Sequence, residues 1–269
     1  MTSADMPRKP EQHLFLFGPP RSGTTALAHV VNAHRSIGLG SERFKYIMNH
    51  KHFDQFNPEL FEEEKFFDFS DGHTNRTPER NAGMKRYYAD LQSRYANLKY
   101  IGDKMPGGFR VAREIHQKFP NTKCIFIIRD IFETACSWQA RAEDESDNWP
   151  STRTATVAVK PWNACLSYFL DLQQKYPDDF HMVSYRDFFD GEPTDYAALD
   201  ELCRFLDVSA DSVMQEYFSA ARVKYRNKIK TKERKLDEAA MAFIEEHADI
   251  AAFHQAIGKG RQEADRRAA

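Results

Sequence analysis

The sequence predicts an α/β fold: one domain built on a central parallel β-sheet flanked by helices. Three observations predict it. Short apolar, strand-like runs alternate with helical patterns, as expected of βαβ units. Near the start, Leu14-Phe15-Leu16-Phe17-Gly18-Pro19-Pro20-Arg21-Ser22-Gly23-Thr24-Thr25-Ala26-Leu27 reads as a buried strand, a tight loop and a first helical turn. Third, polar residues able to do chemistry follow the apolar runs: Arg21, Glu42, Lys104, Arg129 and Tyr185. An open parallel sheet gathers its ligand-binding groups there, at the carboxyl ends of its strands.

The elements follow in order. His13 to Phe17 is the first strand, and Thr25 to His34 is a helix with Leu27, Val30, Val31 and His34 on one face. Ile37 to Leu39 is a short strand ending at Gly40-Ser41-Glu42. Phe44 to Phe69 is aromatic-rich and irregular, broken by Pro58. Tyr87 to Tyr95 is helical, and Tyr100 to Gly102 is a strand ending at Asp103-Lys104. Phe109 to Lys118 is a helix stopped by Pro120. Cys124 to Ile128 is a buried strand ending at Arg129-Asp130, with a helix following through Trp138. Asp144 to Lys160 is polar and reads as a mobile loop, Trp162 to Lys175 as a helix, and His181 to Ser184 as a strand. From Tyr196 onward the pattern is mostly helical, interrupted by the basic stretch Arg226 to Lys235.

Composition bounds the function. The 269 residues suffice for a sizeable core, and 41% hydrophobic with 29% charged residues is ordinary for a globular chain. A formal net charge of −2 supplies no global field for nucleic acid or anionic lipid. Anion binding must therefore come from local arginines and lysines. No apolar run approaches a membrane span, and Met1 to Pro10 lacks the apolar centre of a secretory signal. The four cysteines, Cys124, Cys136, Cys165 and Cys203, are widely spaced among apolar neighbours. They read as reduced core residues of a cytoplasmic protein. With no repeat or low-complexity linker, one domain over 13–257 is expected, with a flexible N-terminus over 1–12 and a tail over 258–269.

The loop carries the chemistry. Gly18, Gly23 and Thr25 fit the frame of a P-loop, Gly-x4-Gly-Lys-[Ser/Thr], but Thr24 stands where the lysine belongs. The overall fold is therefore expected to be P-loop-NTPase-like, without a γ-phosphoryl transfer site. Backbone N–H groups from Arg21 to Thr25, the dipole of the following helix, and the hydroxyls of Ser22, Thr24 and Thr25 would hold an anion. A second anion site is expected where Arg129 leaves its strand and Ser137 lies eight residues later on the next helix.

Taken together, Pro20-Arg21-Ser22-Gly23-Thr24-Thr25 and Arg129-Asp130 with Ser137 make the chain resemble the sulfotransferases that use 3′-phosphoadenosine 5′-phosphosulfate. The resemblance runs from about Leu14 to Gln255. It implies that the loop holds the 5′-phosphosulfate of this co-substrate and that Arg129 with Ser137 holds its 3′-phosphate, with 3′-phosphoadenosine 5′-phosphate (PAP) as product. Ile131 departs from the family's frequent proline there, which only favours a helix start. Such a donor needs no magnesium, and no convincing metal-binding aspartate follows a strand. His50-x-His52 lacks a third ligand at matching spacing, so no metal is expected.

Sulfuryl transfer needs a base for the acceptor proton and cations for the oxygens of the moving group. The cytosolic small-molecule branch places a histidine where this chain has Lys104, in Gly102-Asp103-Lys104-Met105-Pro106. Other branches use a glutamate after the second strand, which Glu42 matches. The resemblance thus implies Glu42 as base, with Arg21 and Lys104 stabilising the transferring group and Asp103 as the runner-up base. Tyr185 in Tyr185-Arg186-Asp187-Phe188 resembles a tyrosine that approaches the nucleotide, though a core-capping tyrosine fits equally. The basic run from Lys228 to Lys235 reads either as a cover for the donor phosphates or as a solvated helix face.

The acceptor, a hydroxyl of a carbohydrate or other small molecule, is expected between Phe44 to Phe69 and Arg141 to Trp162, with Tyr46, His52, Trp149 and Trp162 as lining candidates. A nucleoside or metabolite kinase and a non-catalytic nucleotide-binding relative remain the alternatives.

Overall fold

The computed structural model describes residues 10, 12–48, 52–229 and 236–258. Most of the expected flexible N-terminus, the tail beyond Gly258, His50, and the basic run from Lys230 to Lys235 lie outside the described residues.

The chain runs β1 (Gln12–Phe17), α1 (Thr24–Asn32), β2 (Ile37–Ser41), α2 (Glu63–Phe66), α3 (Ala82–Ser93) and β3 (Tyr100–Lys104). It continues through α4 (Ala112–Lys118), β4 (Thr122–Ile128), α5 (Ile131–Ala142), α6 (Val159–Lys175), β5 (Phe180–Ser184) and α7 (Tyr185–Phe189). It closes with α8 (Ala197–Phe205), α9 (Ser212–Ile229) and α10 (Glu238–His247). The five strands form one sheet in the order β2-β3-β1-β4-β5, and every neighbouring pair is parallel. The predicted α/β, P-loop-like architecture is the one observed.

β1 sits at the centre, covered on both faces, which is why Leu14 to Phe17 is a continuous apolar run. Its side chains alternate between two cores. Phe15 and Phe17 join the larger core with α4, α6 and the aromatic segment after β2. Leu14 and Leu16 join the second, with α1, α8 and α9.

Three expectations change. α1 stops at Asn32 rather than His34. His34 instead accepts from Ser36 N–H on Nδ1 and meets the Ser209 carbonyl through Nε2, so its ring ties the turn together. Much of Phe44 to Phe69 is core: Phe44, Phe56, Phe61 and Phe66 are buried, in edge-on contacts with one another and with Phe15 and Phe119, while Lys45 and Met48 of the same segment line a cavity. The physical reason is coverage. Between β2 and α3 the chain makes only short helical turns, so these bulky rings, packed beside α3, α4 and α6, supply the apolar area there. Finally, Asp144 to Lys160 is tied to α5: Arg141 pairs with Asp147, Trp149 packs edge-on against Trp138 at 4.9 Å, and Gln139 Oε1 accepts from Ala155 N–H at 3.0 Å.

At the start of α5 an aspartate does the capping that a proline would only assist. Asp130 Oδ1 accepts from Glu133 N–H at 3.0 Å, so Ile131 costs the helix start little. No described helix is long and apolar enough to cross a membrane. None of the four cysteines is in a disulfide; three are buried and Cys136 is partly so.

Candidate active site

Parallel strands put all five carboxyl ends on one edge, so each strand delivers its polar residue to the same rim. In spatial order these are Glu42 after β2, Lys104 at the end of β3, the loop after β1, Arg129 after β4 and Tyr185 after β5. Neighbouring strands are about 4.8 Å apart, so a nucleotide-sized ligand spans this row.

The loop from Gly18 to Gly23 is compact. Arg21 takes φ +75° and Gly23 φ +95°, left-handed conformations that cost a non-glycine residue and mark a held shape. A Cβ on Gly18 would lie 2.5 Å from the Ile127 carbonyl oxygen, so β4 runs tight against the loop. Ser22 Oγ is buried with no hydrogen-bond partner among the described residues, an orphan polar atom inside the expected anion cradle. The first turn of α1 adds its own unsatisfied N–H groups and positive dipole end.

The two expected anion sites meet. Arg21 Nε donates to Ser137 Oγ at 3.1 Å, and Trp138 Nε1 donates to the Pro20 carbonyl at 2.9 Å. α5 thus holds the loop through two consecutive residues. Arg129 stacks over the Tyr185 ring at 4.6 Å, and Trp162 Nε1 fixes its backbone by donating to its carbonyl at 2.8 Å. Arg129 Nε also donates to Glu133 Oε2 at 2.7 Å. Arg129 thus has a carboxylate partner one helical turn along α5 as well as the Tyr185 ring. Tyr185 closes the row. A Cβ on Gly23 would fall 2.3 Å from its ring, and Tyr225 of α9 meets the ring edge-on. Burial raises the Tyr185 phenol against the opposing pull of Arg129.

On the other side of β1 the structure brings Glu42 and Lys104 together. Lys104 Nζ donates to Glu42 Oε1 at 2.9 Å, and Arg76 approaches the same oxygen at 3.2 Å. Burial pushes the Glu42 carboxyl up, but the Lys104 charge and hydrogen bond, with Arg76 and Lys45, outweigh it and hold Glu42 below its ordinary 4.5. Burial lowers the Lys104 ammonium below its ordinary 10.5 against the attraction of Glu42. Lys104 is only 1% exposed, so it is not the solvated lysine that a strand end often carries.

Arg21, expected to join Lys104, turns its guanidinium to α5 instead. Asp103 is fully buried and cannot reach an acceptor. Its Oδ2 accepts from Phe44 N–H at 3.1 Å, pinning the turn in which Glu42 takes φ +57°. Arg43 does not pair with Glu42. It is fully buried and binds Asp71, with the carbonyls of Lys65, Phe66 and Asp68, between the rings of Phe44 and Phe69.

Beside Glu42 lies a cavity of about 360 Å³, walled by Lys45, Met48 and the stretch Met105 to Val111. Tyr46, His52, Trp149 and Trp162 are not among its walls, and Trp162 is buried beneath Arg129. Sequence reasoning missed Arg76, Tyr225 and the anchoring role of Trp138. Glu133, one helical turn beyond Arg129, was open to discovery from i,i+4 spacing. Arg76 had no signal, because the loop that carries it has no periodicity. No group of three His, Cys, Asp or Glu that could hold a metal ion occurs among the described residues.

The chain is similar to several solved structures. The sulfotransferase domain of the Synechococcus PCC 7002 olefin synthase superposes with a TM-score of 0.50 at 20% identity, covering 89% of this chain and 88% of that one. The sulfotransferase domain from the curacin biosynthetic pathway gives 0.49 at 18% identity over 89% and 98% of the two chains. Mouse sulfotransferase SULT7A1 complexed with PAP gives 0.46 at 16% identity over 97% and 90%. No curated protein matches the sequence. The family known as the sulfotransferase family, Sulfotransfer_3, matches residues 13–212, from the central strand to the start of α9. With that match across most of its length, the chain belongs to the sulfotransferase family.

Proposed function

We propose that this protein moves a sulfuryl group from 3′-phosphoadenosine 5′-phosphosulfate to a hydroxyl of a carbohydrate or other small molecule, with Glu42 as base. The observation that carries the reading is the Arg21–Ser137 contact, which merges the loop and the Arg129 site into one crevice. The orphaned Ser22 hydroxyl and the N-terminus of α1 fit a 5′-phosphate, and Arg129 with Ser137 fits a 3′-phosphate. Gly23 leaves room for the Tyr185 ring, which suits the nucleoside.

When bound, the donor supplies an electrophilic sulfur with a phosphate as leaving group. The chain's own residues do the rest. Lys104 and Arg76 both approach Oε1 of Glu42, which keeps the carboxylate ionised and leaves Oε2 to take the acceptor's proton. Lys104, buried on the strand between Glu42 and the loop, places a positive charge where the moving group would gain negative charge. Arg21 instead braces the loop against α5 through Ser137. No residue on the rim is asked to coordinate a metal.

A thermal-shift titration with PAP, ATP and AMP tests the donor assignment. PAP is expected to stabilise the protein by the widest margin, because it alone fills both anion sites. Equal stabilisation by ATP, or magnesium-dependent phosphorylation of any acceptor, overturns it.

A further inference from the structure

The cavity beside Glu42 has an uneven chemistry. Its floor is apolar, formed by Met48, Met105, Pro106 and Val111. Its rim carries two cations, Lys45 and Arg110, both exposed. Neither is within salt-bridge distance of a carboxylate among the described residues. Lys45 Nζ donates to the neutral amide Asn75 Oδ1 at 3.0 Å and lies 5.3 Å from the Tyr46 ring centre, and Arg110 stacks over the Phe109 ring at 4.6 Å with a long contact, 3.4 Å, to the Gly107 carbonyl. The one carboxylate in the wall, Glu42, is already met by Lys104 and Arg76. The cavity therefore presents greasy walls under a positive edge whose two cations have no carboxylate in direct contact among the described residues.

Those features select against a neutral sugar. A sugar ring is held by aromatic faces and by amide or carboxylate partners for its hydroxyls, and these walls offer neither apart from the base itself. Resting on the proposed sulfuryl transfer, we infer that the acceptor is a small amphipathic acid. It has an apolar body on the methionine floor, an anionic group between Lys45 and Arg110, and its hydroxyl at Glu42. A cavity of about 360 Å³ suits a ligand of that size. The two methionines, unbranched and adaptable, fit a flexible chain better than one rigid ring system. The cations would both orient the body and raise its rate of encounter.

Calorimetric titrations into the full-length protein, with and without PAP, test this. The probes are hydroxyoctanoate, hydroxyoctyl phosphate, octanediol and methyl glucoside. At least one of the two acids is expected to bind on the order of tenfold tighter than octanediol, with methyl glucoside weakest. Comparing the two acids tells a carboxylate from a phosphate. The Lys45→Ala, Arg110→Ala double variant is expected to bring acid and diol within about twofold, whereas Lys85→Ala on α3 keeps the preference. Octanediol or methyl glucoside binding as tightly as both acids overturns the inference. So does an absence of acid binding, or a preference that survives the double variant. PAP failing to bind while the acid preference holds sinks the donor assignment instead and leaves this one standing.

Discussion

Arg21 Nε and Ser137 Oγ lie 3.1 Å apart although 116 residues separate them in the chain. The contact joins the phosphate loop to the helix after β4, and Trp138 doubles it from the next position. Neither anion site is thus a private property of its own segment, and the predictions below follow from that shared wall.

Arg129→Ala is expected to weaken PAP binding by about 2–4 kcal/mol, because a phosphate at that place loses its charged partner. Glu133→Gln is expected to act the other way and tighten PAP several-fold, since Glu133 now competes for Arg129 Nε at 2.7 Å. Calorimetry on both variants decides; unchanged affinity in Arg129→Ala would remove this residue from the site.

Glu42→Gln is expected to lower turnover by about 10²–10⁴ while PAP still binds as in the wild type. The amide keeps the shape of the side chain and loses its basicity. Steady-state rates beside a PAP titration separate the two effects, and a near-normal rate would sink Glu42 as base.

The pH profile has a sign on each side. Glu42 is held below 4.5, so the base stays ionised and the acid limb of kcat/KM is expected below that value. Lys104 is lowered from 10.5, so activity is expected to fall on the alkaline side before that pH is reached. Lys104→Met should erase the alkaline limb along with most of the rate. An alkaline limb of wild-type position in that variant would assign it to another group.

Asp103 gives a stability prediction. Burial pushes its carboxyl up from 3.8 to about 7. The unfolded chain releases this proton near 3.8 while the folded chain keeps it to about 7, so this group's contribution falls as pH rises between those values and is flat above. Asp103→Asn, which keeps an acceptor for Phe44 N–H, is expected to gain on the wild type as pH rises from about 4 to about 7, by on the order of a few kcal/mol. Urea midpoints across that range read it; a constant difference at every pH would show that Asp103 does not titrate there.

Gly23→Ala is expected to abolish PAP binding. The residue sits at φ +95°, and its new methyl would enter the Tyr185 ring. Retained affinity, measured on a variant with a native circular-dichroism spectrum, would mean that the loop yields to the added methyl and that the fit of Tyr185 against Gly23 is not required for binding.

Much of this was legible from local pattern. The strand β1, the loop and the rim residues after each strand could be read because apolar runs and turn chemistry are short-range properties. The resemblance implied a role for Glu42 and another for Lys104, but not their pairing. It becomes a contact because β2 and β3 align Ser41 with Lys104, a register no sequence window contains. The aromatic segment misled for a related reason. Phenylalanines look the same whether they line a pocket or fill a core, and only their packing against Phe15 and Phe119 shows which. Arg43 shows the same limit: its partners Lys65, Phe66, Asp68 and Asp71 lie on and just after the short α2, whose path the sequence does not specify.

Ribosomal order adds a consequence. The loop at residues 18–25 emerges first, yet the tryptophan that braces Pro20 is synthesised more than a hundred residues afterwards. A nascent polypeptide halted before α5 carries the glycines and hydroxyls but lacks their brace, so the proposed nucleotide site is completed only after the middle of translation has passed.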